Sequence, residues 1–465
     1  MSERCPVAVS SERHPHRIAL EFGGRTWTWL AVDQEVARWT EHLSSLGIGP
    51  GRIVATLSWN RPELVFLLFA LGRLGARLVP LNARLTAVEL APLVARSKAS
   101  LVFADESLIE RVDEVRPFPR LGDSNDLQPT LATWDPTAEL AALFTSGTTG
   151  VPSLVPLTGS NFLAASRANA ANLGESQMQV WLGTLPLFHV GGLAMAFRCA
   201  VMGARLVLEP SFDAHRAAAL LARGDVTHAS FVPTALVRVL DALTQPVAPA
   251  LQAILVGGGP MGAALLVRAR SLGLPVLQTY GLTEACSQVT TERPADADGT
   301  TAGHPLEGLE VRVLDEGGAP RPAGEVGEVH VRGGTVTPVA GEWLRTKDLG
   351  SLDSYGRLTI HARRVDLIVS GGENVHPAEV EAVLLESGLV RDIAVAPRAD
   401  ALWGQVPVAW VVWRDEPKDN ALLSFATSRL AAFKVPKAIV SLTELPRNAN
   451  GKVLRQALVS PPSPA

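Results

Sequence analysis

The first half of the chain alternates between short apolar runs and longer amphipathic stretches. Three short runs rich in aliphatic residues, 53–58, 77–80 and 99–104, predict strands. Between the first two lies Pro62–Leu74, which begins with proline and is followed by Gly75, the residues expected at the two ends of a helix. Strands separated by helices predict an α/β layer.

The alternation resumes after residues 113–137, whose proline, aspartate and serine content predicts a long surface connection. The composition of residues 161–172 predicts a helix. Further short apolar runs predict strands at 140–145, 180–185, 204–208, 227–232 and 253–256. These elements extend the predicted layer into a large, mostly α/β domain.

From Glu310 the pattern changes to short alternating strands with glycine and proline turns, such as 326–332 and 358–361, which predicts a small barrel or sheet. Near the end, a helix is predicted at 377–385 and strands at 406–412 and 438–442. The predicted fold class is α/β: a large N-terminal domain of α/β layers with a small barrel-like β part, and a small α+β C-terminal domain.

Composition and charge narrow the class of protein. With 465 residues, 47% of them hydrophobic and 19% charged, the chain is too long for one core and too apolar to be disordered. Its 42 basic and 46 acidic residues are spread along the chain, which argues against nucleic acid as a partner. The longest apolar run, Leu64–Leu71, is too short to span a membrane, and the polar residues 1–15 lack a signal sequence, so we expect a cytoplasmic protein. The spacing of Cys5, Cys199 and Cys286 fits neither a zinc site nor a disulfide framework and predicts structural thiols.

A loop rich in hydroxyls and glycines follows the predicted strand 140–145. Such a loop offers many donors to phosphate oxygens and allows close backbone approach. The order of a P-loop, with Gly-Lys-Ser/Thr at its end, is absent. Taken alone, the loop is equally consistent with a plain turn. Its residues are Thr145, Ser146, Gly147, Thr148, Thr149 and Gly150.

Five later motifs decide between these readings. They are Tyr280-Gly281-Leu282-Thr283-Glu284, Thr346-Lys347-Asp348, Arg363-Arg364-Val365-Asp366, Ser370-Gly371-Gly372-Glu373-Asn374 and Asn450-Gly451-Lys452. With the loop, this set resembles the adenylate-forming superfamily of acyl-CoA synthetases, adenylation domains and luciferases, over nearly the whole chain. Within that superfamily, residues 181–192, 227–234 and 363–381 resemble the ligases that act on o-succinylbenzoate in menaquinone synthesis.

The resemblance implies an enzyme that uses ATP, Mg²⁺ and coenzyme A to activate a small carboxylic acid. It implies that Glu284 holds Mg²⁺, that Thr283 binds the α-phosphate and that Lys452 bridges the carboxylate and the α-phosphate. It places His189 beside the reacting carboxylate, although a hydrogen-bonded core histidine is the alternative. Cations suit this step, because negative charge accumulates on the phosphate oxygens.

For the nucleotide, the resemblance implies that Asp348 binds the ribose hydroxyls and that Arg363 assists at ribose or phosphate. Tyr280, before Gly281, would stack on adenine, or else pack in the core. A glycine segment would line the adenine, although a turn at the end of a strand also explains it. Its residues are Gly257, Gly258, Gly259 and Pro260.

For the acid, the resemblance places Arg198 and Ser230 where the succinylbenzoate ligases meet their dicarboxylic substrate, whose second carboxylate needs a cation or a bridging water at the far end. Arg198 is a cation within the apolar stretch Leu193–Val201, and a salt bridge to an internal acid is the alternative. Gly371 and Gly372 would line the path of the pantetheine arm, or form a hairpin turn. The implied domains are 1–364, which binds ATP and the acyl group, and 365–465, a mobile lid that carries the catalytic lysine.

Three residues depart from the superfamily pattern. Ser153 stands where the phosphate loop usually has a lysine, Lys347 replaces the glycine of the usual Thr-Gly-Asp, and Ala362 replaces the glycine of the usual Gly-Arg. We therefore expect weaker ATP affinity than in relatives with the loop lysine. A CoA ligase for another aryl or medium-chain acid and a noncatalytic nucleotide-binding protein stay open as alternatives. The sequence also leaves open whether the chain forms a homo-oligomer.

Overall fold

The computed structural model describes residues 3–121, 132–145, 152–259, 261–337, 342–362, 367–446 and 453–459. The chain divides into two compact units. The larger unit comprises Met1–Ala83, Val94–Leu143 and Leu154–Ala362, and the smaller unit comprises Arg84–Leu93, Phe144–Ser153 and Arg363–Ala465.

A six-stranded sheet contains the first predicted strands, in the order β10-β9-β5-β4-β6-β7. Its central strand β4 pairs in parallel with β5 and β6, and every residue of β4 is buried, as expected for a parallel strand covered on both faces. The strands are β4 (Ile53–Leu57), β5 (Arg77–Leu81), β6 (Leu101–Ala104), β7 (Arg116–Pro117), β9 (Glu139–Thr145) and β10 (Ser153–Thr158).

A nine-stranded sheet has the order β17-β16-β15-β14-β13-β11-β12-β2-β3. The run from β15 to β2 is parallel, and the hairpins β2-β3 and β15-β16 are antiparallel. The strands are β2 (Ile18–Phe22), β3 (Arg25–Thr28), β11 (Val180–Gly183), β12 (Arg205–Leu208), β13 (His228–Phe231), β14 (Ala253–Val256), β15 (Val276–Leu282), β16 (Ser287–Thr291) and β17 (His304–Pro305).

The segment predicted as a surface connection contributes to the core where it is described. The short strand β8 (Thr133–Trp134) lies in this segment. It pairs antiparallel with β1 (Glu3–Arg4) near the N-terminus. Trp134 is buried, and its ring lies 5.9 Å from that of Phe197. The prediction of a surface connection was therefore wrong at both described ends of the segment, because Trp134 is buried and Phe118 packs partly buried against the core, with its ring 5.6 Å from that of Phe103.

The helices pack against the sheets through apolar faces. Helix α3 begins at Pro62 and ends at Leu74, and its C-cap residue Gly75 has the left-handed φ of +64° that suits glycine. No helix among the described residues is long and apolar enough to cross a membrane. The helices before the four-stranded sheet are α1 (Pro6–Arg13), α2 (Trp29–Ser45), α3 (Pro62–Leu74), α4 (Ala87–Ser97), α5 (Gly159–Leu173), α6 (Val190–Met202), α7 (Ala214–Arg223), α8 (Pro233–Ala242) and α9 (Ala263–Ser271).

The predicted barrel-like part is an antiparallel four-stranded sheet of β18 (Leu309–Leu314), β19 (Gly327–Gly333), β20 (Leu344–Leu352) and β21 (Leu358–Ala362). The smaller unit has a sheet of β22 (Ile368–Ser370), β23 (Glu373–Val375), β24 (Val390–Asp400), β25 (Gly404–Trp413) and β26 (Ile439–Ser441). Its helices include α10 (Pro377–Leu385), α11 (Asp419–Thr427) and α12 (Arg455–Val459). The predicted mixed α/β fold class is confirmed.

Candidate active site

Several residues predicted for substrate chemistry lie at one edge of the nine-stranded sheet. Strands β11, β13, β14 and β15 are parallel neighbours, so their carboxyl ends share that edge. His189 follows β11, Gly257 follows β14 and Thr283 follows β15, while Ser230 lies near the end of β13. Ligands of parallel α/β sheets bind at this edge. The topology therefore brings these four positions to the same side of the larger unit.

Part of the predicted site lies outside the described residues, namely Ser146, Gly147, Thr148, Thr149, Gly150, Pro260, Arg363 and Lys452. Of the phosphate-loop region, Thr145 ends β9 and Ser153 begins β10. The hydroxyl oxygens of these two residues are 3.1 Å apart. Ser153, which stands in the place of the usual lysine, thus pairs with a second hydroxyl beside the loop.

The glycines that follow β14 allow close approach to β15. A Cβ on Gly257 would lie 2.8 Å from both Cγ2 and the carbonyl oxygen of Thr279. Gly258 has a φ of +76°. Gly259 continues the segment. Packing against the neighbouring strand is sufficient to require glycine at the first position, and the role of the segment in lining adenine stays a prediction.

The Thr283-Glu284 motif lies in the turn of the β15-β16 hairpin. Gly281 is paired with Gln288, and a Cβ on Gly281 would lie 1.6 Å from the carbonyl oxygen of Ser287. Thr283 and Glu284 form a single turn of 3-10 helix and are half-buried. The backbone carbonyl of Glu284 accepts a hydrogen bond of 2.8 Å from the Thr337 amide. Glycine and this bond fix the turn that presents the two side chains.

Tyr280 and Asp348 are joined directly. Only 4% of Tyr280 is exposed, and its hydroxyl donates a hydrogen bond of 2.6 Å to Oδ2 of the buried Asp348 carboxylate. The Asp348 amide donates to the hydroxyl of Thr346, which itself donates to the Val329 carbonyl. The sequence did not predict this pairing. The tyrosine orients the carboxylate that was predicted to bind ribose, and stacking on adenine stays a prediction.

We expect Tyr280→Phe to raise the KM for ATP about fivefold, because Asp348 loses a donor that holds it in one orientation. The free energy of unfolding should fall by about 1.5–3 kcal/mol, the usual cost of losing a hydrogen bond to a charged group. Steady-state kinetics and urea unfolding measure the two effects. The matched control is Tyr355→Phe, since the chain has only 2 tyrosines and Tyr355 is 75% exposed. An unchanged KM for ATP in Tyr280→Phe would contradict the orienting role.

Lys347 has an unfavourable backbone conformation beside Asp348. Its φ is +62°, in the left-handed region that favours glycine, and its side chain is exposed. This is the position at which the superfamily pattern has glycine. A non-glycine residue in this conformation costs about 1–2 kcal/mol. The replacement of glycine by Lys347 in the Thr346-Lys347-Asp348 motif therefore lowers the stability of the folded protein.

Lys347→Gly should raise the free energy of unfolding by about 0.5–1 kcal/mol, since relief of strain exceeds the entropy cost of an added glycine. If the ammonium helps to attract ATP, the KM for ATP should rise in the same variant. The control is Lys437→Gly, because Lys437 is exposed but does not have positive φ, and this change should destabilise the fold. A loss of stability in Lys347→Gly equal to that of the control would refute the strain argument.

His189 and Ser230 lie at the acyl side of the predicted site. His189 is the N-cap residue of α6, its carbonyl accepts hydrogen bonds from the amides of Gly192 and Leu193, and its ring meets that of Phe188 edge-on at 4.8 Å. The half-buried imidazole is therefore at the positive end of a helix dipole. Ser230 is half-buried in β13. Both roles predicted for these residues stay predictions.

Arg198 is the buried cation of α6. It is 5% exposed, and its guanidinium lies 4.6 Å from the centre of the Trp181 ring. Nη2 donates to Oε1 of Gln288 at 3.3 Å, whereas Nε and Nη1 have no hydrogen-bond partner in the part of the chain that the structure describes. Burial lowers the pKa of Arg198 to about 10, so the side chain stays charged at neutral pH. No carboxylate among the described residues pairs with it, and the alternative of an internal salt bridge is not supported.

The described titratable neighbours of Arg198, namely His228, Cys199 and Cys286, are neutral at neutral pH. Burial, followed by the charge of Arg198, lowers the pKa of His228 to about 4. Burial raises the pKa of Cys199 to about 12 and also raises that of Cys286. The three cysteines of the chain are free and buried, as expected for structural thiols. The positive charge of Arg198 is therefore not neutralised by these neighbours.

Gly371 and Gly372 form the turn between β22 and β23 in the smaller unit. Their φ angles are +59° and +86°, and a Cβ on Gly371 would lie 2.6 Å from the Trp403 ring. Two residues with positive φ are typical of a tight hairpin turn. The backbone thus explains both glycines, and their role on the pantetheine path stays a prediction.

Comparisons with known proteins extend this description. Residues 7–339 match the family model of AMP-binding enzymes, and residues 379–452 match the model of the AMP-binding enzyme C-terminal domain. A 2-succinylbenzoate–CoA ligase of Geobacillus kaustophilus (strain HTA426) is 38% identical, with 96% of this chain and 95% of that protein covered.

Solved structures of o-succinylbenzoate CoA synthetase are also similar to this chain. A double mutant of the o-succinylbenzoate CoA synthetase of Bacillus subtilis, bound with its product analogue OSB-NCoA, has a TM-score of 0.91 at 32% identity, with 98% of each chain covered. The same synthetase in complex with ATP and a magnesium ion has a TM-score of 0.73 at 32% identity, with 98% of this chain and 100% of that chain covered. The similarity therefore covers nearly the full length of the chain.

Proposed function

Since the chain belongs to the family of AMP-binding enzymes, we propose that it is an ATP-dependent ligase that joins o-succinylbenzoate to coenzyme A. It activates the acid as an acyl adenylate with release of pyrophosphate, and then transfers the acyl group to the thiol of coenzyme A with release of AMP. The observation that carries the choice of acid is Arg198, a buried guanidinium with two nitrogens, Nε and Nη1, that donate to no acceptor among the described residues. A second carboxylate on the substrate is the partner that this cation lacks.

The first half-reaction uses groups on the larger unit. The half-buried carboxylate of Glu284 suits Mg²⁺, which prefers carboxylate oxygens and, when bound, offsets charge on the phosphates. Thr283 binds the α-phosphate, His189 lies beside the reacting carboxylate, and Asp348 binds the ribose hydroxyls. Lys452 neutralises the charge that develops as the acid attacks. Tyr280 supports this scheme, because it holds the Asp348 carboxylate in place.

Helix α6 relates the two ends of the acid. From the N-cap His189 to Arg198 the helix advances by about 13 Å at 1.5 Å per residue. Long side chains on helices lean towards the N-terminus, so the guanidinium lies closer to the imidazole than the backbone positions do. This separation suits an acid with a carboxylate at each end and an aromatic ring between them.

The second half-reaction is assigned to the smaller unit. We divide the chain functionally into residues 1–364, which bind ATP and the acyl group, and residues 365–465, which supply Lys452 and then the path for coenzyme A. Gly371 and Gly372 are assigned to that path, since a turn without side chains leaves room for the pantetheine arm.

A panel of acids tests the proposal. Pyrophosphate release and CoA thioester formation are measured for o-succinylbenzoate, 4-oxo-4-phenylbutanoate, 2-butyrylbenzoate, benzoate and octanoate. The two monoacid analogues each keep one carboxylate of the diacid, so they also identify the carboxylate that is activated. We expect o-succinylbenzoate to give the highest kcat/KM. A preference for benzoate or octanoate would assign another acid, and absence of pyrophosphate release with every acid would reject the enzyme.

A further inference from the structure

Arg198 belongs to a network of polar side chains centred on Gln288, in which all members are buried except the half-buried Thr279. Oε1 of Gln288 accepts hydrogen bonds from Arg198 at 3.3 Å and from Nδ2 of Asn169 at 2.9 Å. Its Nε2 donates to the hydroxyl of Thr291 at 3.0 Å and faces that of Thr279 at 3.4 Å. We call these five residues the Gln288 network. It joins helices α5 and α6 to the β15-β16 hairpin.

The network fixes the orientation of the Gln288 amide. A guanidinium can only donate hydrogen bonds, so the amide group that faces Arg198 must be the carbonyl oxygen. The amide nitrogen then faces the hydroxyl of Thr291, which can accept. Because both ends of the amide are satisfied, rotation by half a turn would place two donors together near Arg198.

The partner of Arg198 is therefore a neutral group in a position where a carboxylate would fit. Glutamate has the same length as glutamine and would form a buried ion pair with the guanidinium. Charged pairs of this kind are strong but cancel the field that either ion would exert on a third group. A neutral amide orients the guanidinium without cancelling its charge. Nε and Nη1 remain as donors.

We propose that Gln288 is a positioning residue that determines specificity for dicarboxylic acids, because it holds Arg198 in place while leaving its charge for the second carboxylate of the acid. This inference rests on the proposed function. Trp181 contributes in the same way, since its ring stabilises the guanidinium at 4.6 Å without neutralising it.

The pairing of Gln288 with Gly281 gives the network a second connection. The two residues lie opposite each other in the β15-β16 hairpin, and the Thr283-Glu284 motif forms the turn of that hairpin. The residue that positions Arg198 is thus held by the same strands that present the motif for phosphate and Mg²⁺.

The test compares Gln288→Glu and Gln288→Met with the unmodified enzyme, using o-succinylbenzoate and 4-oxo-4-phenylbutanoate as diacid and monoacid. If the panel of acids shows that the enzyme activates 2-butyrylbenzoate and not 4-oxo-4-phenylbutanoate, then 2-butyrylbenzoate is used as the monoacid. In Gln288→Glu, the ratio of kcat/KM for diacid over monoacid should fall by about 10- to 100-fold, chiefly through the KM of the diacid. Gln288→Met removes the hydrogen bond without adding charge, and the ratio should fall by about threefold to tenfold.

Gln405→Glu is the matched control, because Gln405 lies in the smaller unit and its Oε1 accepts a hydrogen bond from the Val369 amide, which a carboxylate also can do. In Gln405→Glu, the ratio of kcat/KM for diacid over monoacid should equal that of the unmodified enzyme. If Gln288→Glu does not fold, as judged by circular dichroism, the ratio in Gln288→Met decides.

Two outcomes separate the inference from the function. An active unmodified enzyme with an unchanged ratio in both Gln288 variants would overturn the inference alone, since a purely structural residue affects both acids equally. Failure of the unmodified enzyme to activate the diacid would overturn the proposed function, and the inference with it.

Discussion

Methionine in place of Arg198 is expected to stabilise the folded protein and, at the same time, to remove most of its activity towards a dicarboxylic acid. The guanidinium is buried and has no carboxylate partner within the described ranges, so folding pays the cost of desolvating a charge. Removing that charge should raise the free energy of unfolding by about 1–3 kcal/mol. The kcat/KM for o-succinylbenzoate should fall about 100-fold or more, because a charge-assisted contact to the second carboxylate is lost.

Urea unfolding without substrates and steady-state kinetics with the diacid and the monoacid measure these effects. Arg73→Met is the matched control, since Arg73 is also 5% exposed but is paired with Asp33, which is 1% exposed. Breaking that pair should destabilise the fold by about 3–5 kcal/mol, because the aspartate keeps an unpaired buried charge. Equal destabilisation by Arg198→Met and Arg73→Met would show that Arg198 has a structural partner after all.

The second large effect is expected at Lys452. Lys452→Ala should lower the rate of adenylation about a thousandfold, since a cation that bridges the attacking carboxylate and the α-phosphate stabilises charge that develops in the transition state. Transfer of the acyl group from a supplied acyl adenylate to coenzyme A should continue. Pyrophosphate release reports the first step, and thioester formation from the synthetic adenylate reports the second.

Lys437→Ala serves as the control, because Lys437 is an exposed lysine of the same unit. Both half-reactions should be unaffected in this variant. Equal losses in both half-reactions of Lys452→Ala would contradict a role confined to adenylation.

The sequence predicted elements best where their ends carry strong local signals. Helices α3 and α10 have the predicted bounds, because each begins with proline after an extended residue. Strand β14 also matches, as a short apolar run. Helix α6 was not predicted, since all its residues from Gly192 to Ala200 are buried and such a helix shows no amphipathic period.

Some features of the candidate site could likewise be predicted from the sequence, and others could not. Glycine motifs were readable from sequence, because close backbone approach excludes other residues, as at Gly281. The surroundings of Arg198 could not be predicted from the sequence. Gln288 is 90 positions away from Arg198, and only the packing of α6 against β16 brings the two side chains together. Lys347 is an intermediate case. The sequence shows that lysine replaces the usual glycine, but the cost in stability follows from a φ of +62°, which only the structure shows.

The two tyrosines of the chain occupy opposite environments, and this gives the protein an internal pair of spectroscopic reporters. Tyr280 is almost fully buried with its hydroxyl on the Asp348 carboxylate, whereas Tyr355 is largely exposed. Fluorotyrosine incorporated throughout the chain therefore yields one fluorine signal next to the acid assigned to ribose and one solvent-exposed reference. Nucleotide occupancy can then be followed by magnetic resonance in the unmutated sequence, without an added tag.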